Sequence, residues 1–280
     1  MTSRLIRGLV EKAEPLPLQS SMEEKGTKAY GGPDFKTFFS AYKVPIGIEI
    51  EVEGFKVGAW PKTIYWRLET DGSLRNNGRE IISVPVAGKN IDFALAELEK
   101  AMEGQHPAWS HRCSVHVHIN VRNWTFEEAR ALVAAYAVFE NLFFSLVPED
   151  RKANGFAYPL TDISPEEVRL GSVDGKYCAL NIGTGVRNYG TYEFRQHHGT
   201  ANRTTLRRWI QLIVKLHNYV RKEGYQKITQ LISTLNTTSE YHQLLREVFG
   251  QTAAVFPPVV LQKSMEDGVL WAKVYLGSNQ

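Results

Sequence analysis

The chain has 280 residues, 43% of them hydrophobic and 22% charged, which excludes bulk disorder and leaves ample apolar material for a core. Its formal charge is +3, from 33 Lys and Arg against 30 Asp and Glu, too weak a surplus to expect nucleic acid or a membrane surface as the main partner. The two cysteines, Cys113 and Cys178, make neither a disulfide framework nor a zinc spacing, so both read as free thiols in a reducing, cytoplasmic setting.

Mixed charge, weak periodicity and breakers at Gly26, Gly31, Gly32 and Pro33 predict a loosely held, flexible arm over residues 1–43, with no secretion signal at its start. A single domain is expected from 44 to 280, because no linker or charge run divides it. Over 44–54 a strict alternation sets Ile46, Ile48, Ile50 and Val52 against Gly47, Glu49, Glu51 and Glu53, the pattern of a half-buried strand. Further strands are predicted over 63–68, 80–86, 114–121, 177–182 and 191–196, each rich in β-branched or aromatic residues. Helices are predicted over 90–103 and 125–147, the second opened by Thr125 and Glu128 in capping-box spacing and stopped before Pro148. The apolar window 131–147 is interrupted by Glu140 and Asn141 and falls short of the roughly 20 residues a membrane span requires, so a buried core helix is expected there. A short helix starts at Ser164-Pro165, a long one runs from about Asn202 to a stop at Gly224, and another runs from Thr238 or Ser239 to Gly250. Strands first and helices later predict an α+β fold, a largely antiparallel sheet with helices packed on one face.

Three strands turn ionisable groups to one side. The first carries Glu49, Glu51 and Glu53, the fourth carries His116, His118 and Asn120, and the last carries Glu193, Arg195 and His197. Each is either the wet side of an amphipathic strand or part of a site. Successive same-face carboxylates lie about 6.6 Å apart and repel by roughly 2.5 kcal/mol at an effective dielectric of about 20, against roughly 0.6 in bulk water. On an open surface that is tolerable; in a cleft it calls for a cation. Carboxylates with imidazoles and no cysteine cluster suit Mg²⁺, with Mn²⁺ as the alternative, and Mg²⁺ commonly works with bound phosphate. Glu193 and Arg195, two residues apart, have the makeup of a clamp on a phosphoryl oxygen and its metal.

Standard phosphate motifs do not account for this set. Gly171 to Lys176 is one residue short of a P-loop, and Gly183-Thr184-Gly185 lacks a third glycine, so both read as loops.

The ordered runs Gly47-Ile48-Glu49-Ile50-Glu51, Asp71-Gly72-Ser73-Leu74, Glu80-Ile81-Ile82-Ser83, Cys113-Ser114-Val115-His116-Val117-His118, Leu180-Asn181 and Tyr192-Glu193-Phe194-Arg195, with Gly199-Thr200 and Trp209, resemble the amidoligase family of glutamine synthetase-like carboxylate–amine ligases. The likeness covers about residues 44–215. Ser114 departs from it, standing where the family often has Gly, and reads as a matter of turn geometry. The resemblance implies a glutamine synthetase-like catalytic domain, a curved antiparallel sheet whose concave face holds Mg²⁺ and ATP, and an acyl-phosphate route to an amide or peptide-type bond. It assigns Glu49, Glu51, Glu80 and Glu193 to metal, and His116 and His118 to the second metal and the nucleotide phosphates. Arg195 would neutralise the γ-phosphoryl group, Asn181 would bind nucleotide or satisfy the backbone, Asp71 would orient or deprotonate the amine, and Arg187 would hold a carboxylate. Carboxylate and amine substrates, small molecules or peptides, are the expected partners, and oligomeric state is left open. Two other readings stand beside it: a divalent-metal phosphohydrolase or nuclease using the same groups to activate water, and a non-catalytic binding or assembly protein on the same sheet.

Overall fold

Alternating residues become strands and 3.6-periodic ones become helices through most of the chain. The computed structural model describes residues 16–152, 154–170 and 175–277. In chain order its elements are helix α1 (Gln19–Tyr30), strands β1 (Ile46–Val52), β2 (Trp66–Thr70) and β3 (Arg79–Ser83), helix α2 (Lys89–Ala101), strand β4 (Ser114–Asn120) and helices α3 (Phe126–Phe144), α4 (Glu149–Lys152) and α5 (Pro165–Leu170). There follow β5 (Leu180–Asn181), α6 (Thr184–Tyr189), β6 (Thr191–His198), α7 (Arg203–Thr234), α8 (Thr238–Phe249) and α9 (Leu261–Leu276). The fold is α+β, and the described strand pairings are antiparallel.

The sequence suggests one domain over 44–280, but the elements fall into two compact units, the first built from 14–120 and 197–211, the second from 121–196 and from 212 onward. The chain passes between units at the end of β4, inside β6 and inside α7, so no Pro/Gly/Ser linker marks the boundary.

In the first unit the strands run β2-β3-β1-β4, with β1 between β3 and β4. Ile46, Ile48, Ile50 and Val52 are buried together with Ile81, Val115 and Val117, and α2 contributes the buried Ile91, Ala94, Leu95 and Leu98. The Trp66 indole N–H donates to the Ala94 carbonyl at 2.8 Å, tying the edge strand to α2. Strand β2 starts later than the alternation suggests, because the amides of Ile64 and Tyr65 donate to the Glu97 carboxylate of α2 instead of joining a ladder.

Residues 19–30 correct the expectation of a loose arm. They form α1, held by Asn90 Nδ2 donating to the Gln19 carbonyl at 2.8 Å and by the Tyr65 hydroxyl donating to the Met22 carbonyl at 2.9 Å. Gly26, which reads as a breaker, is the point of closest approach: a Cβ there would meet the Phe93 ring at 2.6 Å. The amides of Phe38 and Phe39 donate to Asp92, anchoring the following segment. Residues 1–15 of the expected arm lie outside the described residues.

In the second unit α3 is buried over most of its surface and opens with the expected capping box, Thr125 and Glu128 exchanging hydrogen bonds at 2.8 and 3.2 Å. Helix α9 packs against it at Gly268, where a Cβ would meet the Ala137 carbonyl oxygen at 2.3 Å. Gly224 breaks α7 as expected (φ 73°), although helix resumes beyond it to Thr234. Gly183-Thr184-Gly185, expected as loop, opens the short helix α6, and most of the near-P-loop run, residues 171–174, lies outside the described residues. Among the described residues no helix is long and apolar enough to cross a membrane.

Candidate functional site

The first unit's register assembles a cluster of acids and imidazoles on the face opposite the core. Glu49 of β1 stands across from His116 of β4, and Glu51 stands across from Glu80 of β3. Asp71 arrives from the turn after β2, where its Oδ1 accepts the Ser73 amide at 2.7 Å. Ligand atoms of Glu49, Glu80 and His116 lie within 4.8 Å of one another, and so do those of Glu51, Asp71 and Glu80. The two groups share Glu80. His116 Nδ1 and His118 Nε2 each approach Glu49, both at 3.1 Å.

This face is not a solvated one. Glu51, His116 and His118 are 7%, 4% and 8% exposed, which removes the reading of a merely wet strand side. Burial pushes the Glu49 carboxyl up, but His118 and His116 outweigh it and hold the group well below the usual carboxylate range. Glu80 goes the other way: burial first, then the charges of Glu49, Glu51 and Asp71, push it up to about 8. The neighbouring Glu49 carboxyl also raises it through hydrogen bonding. Repelling carboxylates need positive charge among them, and oxygen and imidazole donors without a thiolate fit a hard divalent cation of the Mg²⁺ or Mn²⁺ kind. Cys113 takes no part; its thiol is directed at the Ala108 carbonyl.

Two neighbours refine the set. Glu53 continues the alternation but accepts the Arg75 amide at 2.8 Å, pinning the loop that follows Asp71. Ser114, whose departure from the family pattern reads as a matter of turn geometry, is the first residue of β4, as the expected strand over 114–121 has it, and donates both its amide and its hydroxyl to Glu51. The period-2 pattern would have found it, since Ser114 shares a face with His116 and His118.

In the second unit Asn181 and Glu193 are register partners on β5 and β6, and Asn181 Nδ2 donates to Glu193 Oε2 at 2.8 Å. Arg195, on the same side of β6, is paired with Glu193, and both are largely buried, at 14% and 6% side-chain exposure. The strand is braced by Arg151, 1% exposed, whose guanidinium donates to the Arg195 carbonyl at 2.9 Å. Arg151 carries no signal in the sequence, because its role is to a backbone oxygen. Arg187 stands exposed on α6.

A family model described as "putative amidoligase enzyme" matches residues 62–217. The match contains Asp71, Glu80, His116, His118, Asn181, Glu193 and Arg195, and begins after Glu49 and Glu51. No curated protein matches the chain. With more than half of its length inside that match, the chain belongs to the amidoligase family.

Proposed function

We propose that the protein is an ATP-dependent carboxylate–amine ligase working with Mg²⁺ in the cytoplasm, on a domain of the glutamine synthetase-like kind. The observation that carries this reading is the pair of ligand groups that share Glu80, in a chain of the amidoligase family. Glu49, Glu51 and Glu80, with His116 and His118, are the ligands. Bound there, the metal supplies charge neutralisation at phosphate oxygens. Arg195, oriented by Glu193 and by the backbone contact of Arg151, neutralises the transferring γ-phosphoryl group. Asn181 keeps Glu193 in place and contributes to nucleotide binding. A substrate carboxylate oxygen takes the γ-phosphoryl group and ADP leaves; the amine nitrogen then attacks the acyl carbon and phosphate leaves. Asp71, on a turn beside the acid cluster, accepts the amine proton, and Arg187 holds a substrate carboxylate.

The test is a screen of carboxylate and amine pools with ATP and Mg²⁺, followed by mass spectrometry for condensed products and by ADP release. Release that depends on the amine, and disappears in Glu49→Ala and Arg195→Ala, is the expected result. Phosphate-ester cleavage by the metal-loaded protein without any amine would replace the ligase reading with hydrolysis. Absence of Mg²⁺-ATP binding in calorimetry would leave a binding protein.

A further inference from the structure

Strand β4 opens with Ser114, 3% exposed, on the same face as His116 and His118. Its amide donates to Glu51 Oε2 at 2.9 Å, its hydroxyl contacts the same oxygen, and Oγ lies 2.7 Å from His116 Nε2. A serine hydroxyl has one proton and two lone pairs, and a carboxylate oxygen accepts. With the proton directed to Glu51, the contact to Nε2 is made by an imidazole N–H donating to Oγ. Nδ1, across the ring, lies 3.1 Å from Glu49 Oε2, to which it donates when it carries a proton. With a divalent cation against both atoms Nδ1 offers its lone pair instead, and the hydrogen-bond chain from Glu51 through Ser114 keeps the proton of His116 on Nε2 so that it can.

We infer that Ser114 is a positioning residue of the metal centre: it fixes His116 in the Nε2–H tautomer, presents Nδ1 beside Glu49 to a divalent cation, and orients Glu51 for the adjoining position. This rests on the ligase reading above and deepens it. Ligating histidines commonly have their second nitrogen held in this way, and removing the holder typically costs 10–100-fold in metal affinity. Here the holder also grips a second ligand, so one hydroxyl couples the two carboxylate groups that meet at Glu80.

The experiment uses the full chain labelled with ¹⁵N, with His116 assigned by comparison with His116→Gln. Long-range ¹H–¹⁵N spectra report the tautomer, and calorimetry with MgCl₂ reports affinity. Wild type with Mg²⁺ is expected to show the Nε2–H tautomer. Ser114→Ala is expected to show a tautomer mixture and Mg²⁺ binding weaker by about 10–100-fold. Ser114→Thr, which keeps the hydroxyl on a residue suited to a strand, is expected to recover both. If Ser114→Ala does not fold, Ser114→Cys, close in size and a weak donor, carries the same expectation. Wild-type tautomer and affinity in the folded variant would overturn the role of Ser114 and leave the ligase reading standing. A wild-type protein that binds no Mg²⁺ would overturn the metal centre itself, and with it this inference.

Discussion

The protein buries carboxylates in two very different ways, and the contrast separates scaffold from site. In the second unit, fully buried Glu140 accepts the Leu160 amide, the Thr161 amide and the Thr161 hydroxyl at 2.7, 2.9 and 2.8 Å. Burial pushes its carboxyl up, and those donors pull it back. Asp92 and Glu97 of α2 are handled alike, each collecting backbone amides from a neighbouring segment. In the first unit, Glu80 faces Glu49, Glu51 and Asp71, and its surroundings raise it further. A buried acid surrounded by donors fastens chain to chain. A buried acid surrounded by acids costs stability and marks a candidate site.

The largest effect expected from this contrast is on turnover. Glu49→Ala should cut amine-dependent ADP release by about 10³-fold or more, equivalent to about 4 kcal/mol, while Glu140→Gln leaves the turnover of folded molecules unchanged. Near-normal turnover in Glu49→Ala would erase the distinction. Next, Glu140→Ala should destabilise the fold by about 2–3 kcal/mol in urea, because three donors lose their acceptor. Glu80→Gln should move stability the opposite way. The folded value near 8 lies above the ordinary 4.5, so the protonated form's stability is complete below about pH 4.5 and is lost as pH rises through 8. Wild type in EDTA should therefore weaken between those limits by an amount on the order of 1–3 kcal/mol, Mg²⁺ should flatten the profile, and Glu80→Gln should remove the slope. A flat profile for the wild type in EDTA would break the comparison. The smallest effect is Thr125→Ala, which removes the cap of α3 and should cost about 1 kcal/mol with turnover intact.

How much of this was legible in the sequence depends on the range of the contacts involved. Alternation over β1 exposed Glu49 and Glu51 as a pair because a strand's period is local. Their meeting with Glu80 and His116 depends on the register between strands, which no single segment encodes; the family likeness supplied it. The burial of that polar face was equally hidden, since alternation reads the same whether the second side meets water or protein. Gly26 misleads because it reads as a helix breaker, yet it sits where α1 needs the missing Cβ to approach Phe93. The late start of β2 comes from Glu97, more than thirty positions downstream of Ile64, which no local pattern at 63–65 reveals. Ser114 falls inside the strand expected over 114–121, but its contacts with Glu51 and His116 are not visible in the sequence, because its importance is a matter of which atoms it touches.

Five members of the acid and imidazole cluster, Glu49, Glu51, Glu80, His116 and His118, are carried by paired strands, and Asp71 hangs on a turn closed by its own carboxylate. Amide hydrogens of β1, β3 and β4 should accordingly exchange with deuterium slowly and together, and those around Asp71 early and independently. One corner of the cluster thus stands apart from the strand ladder, and if the protein acts as proposed, the amine has a place to vary there without disturbing the rest.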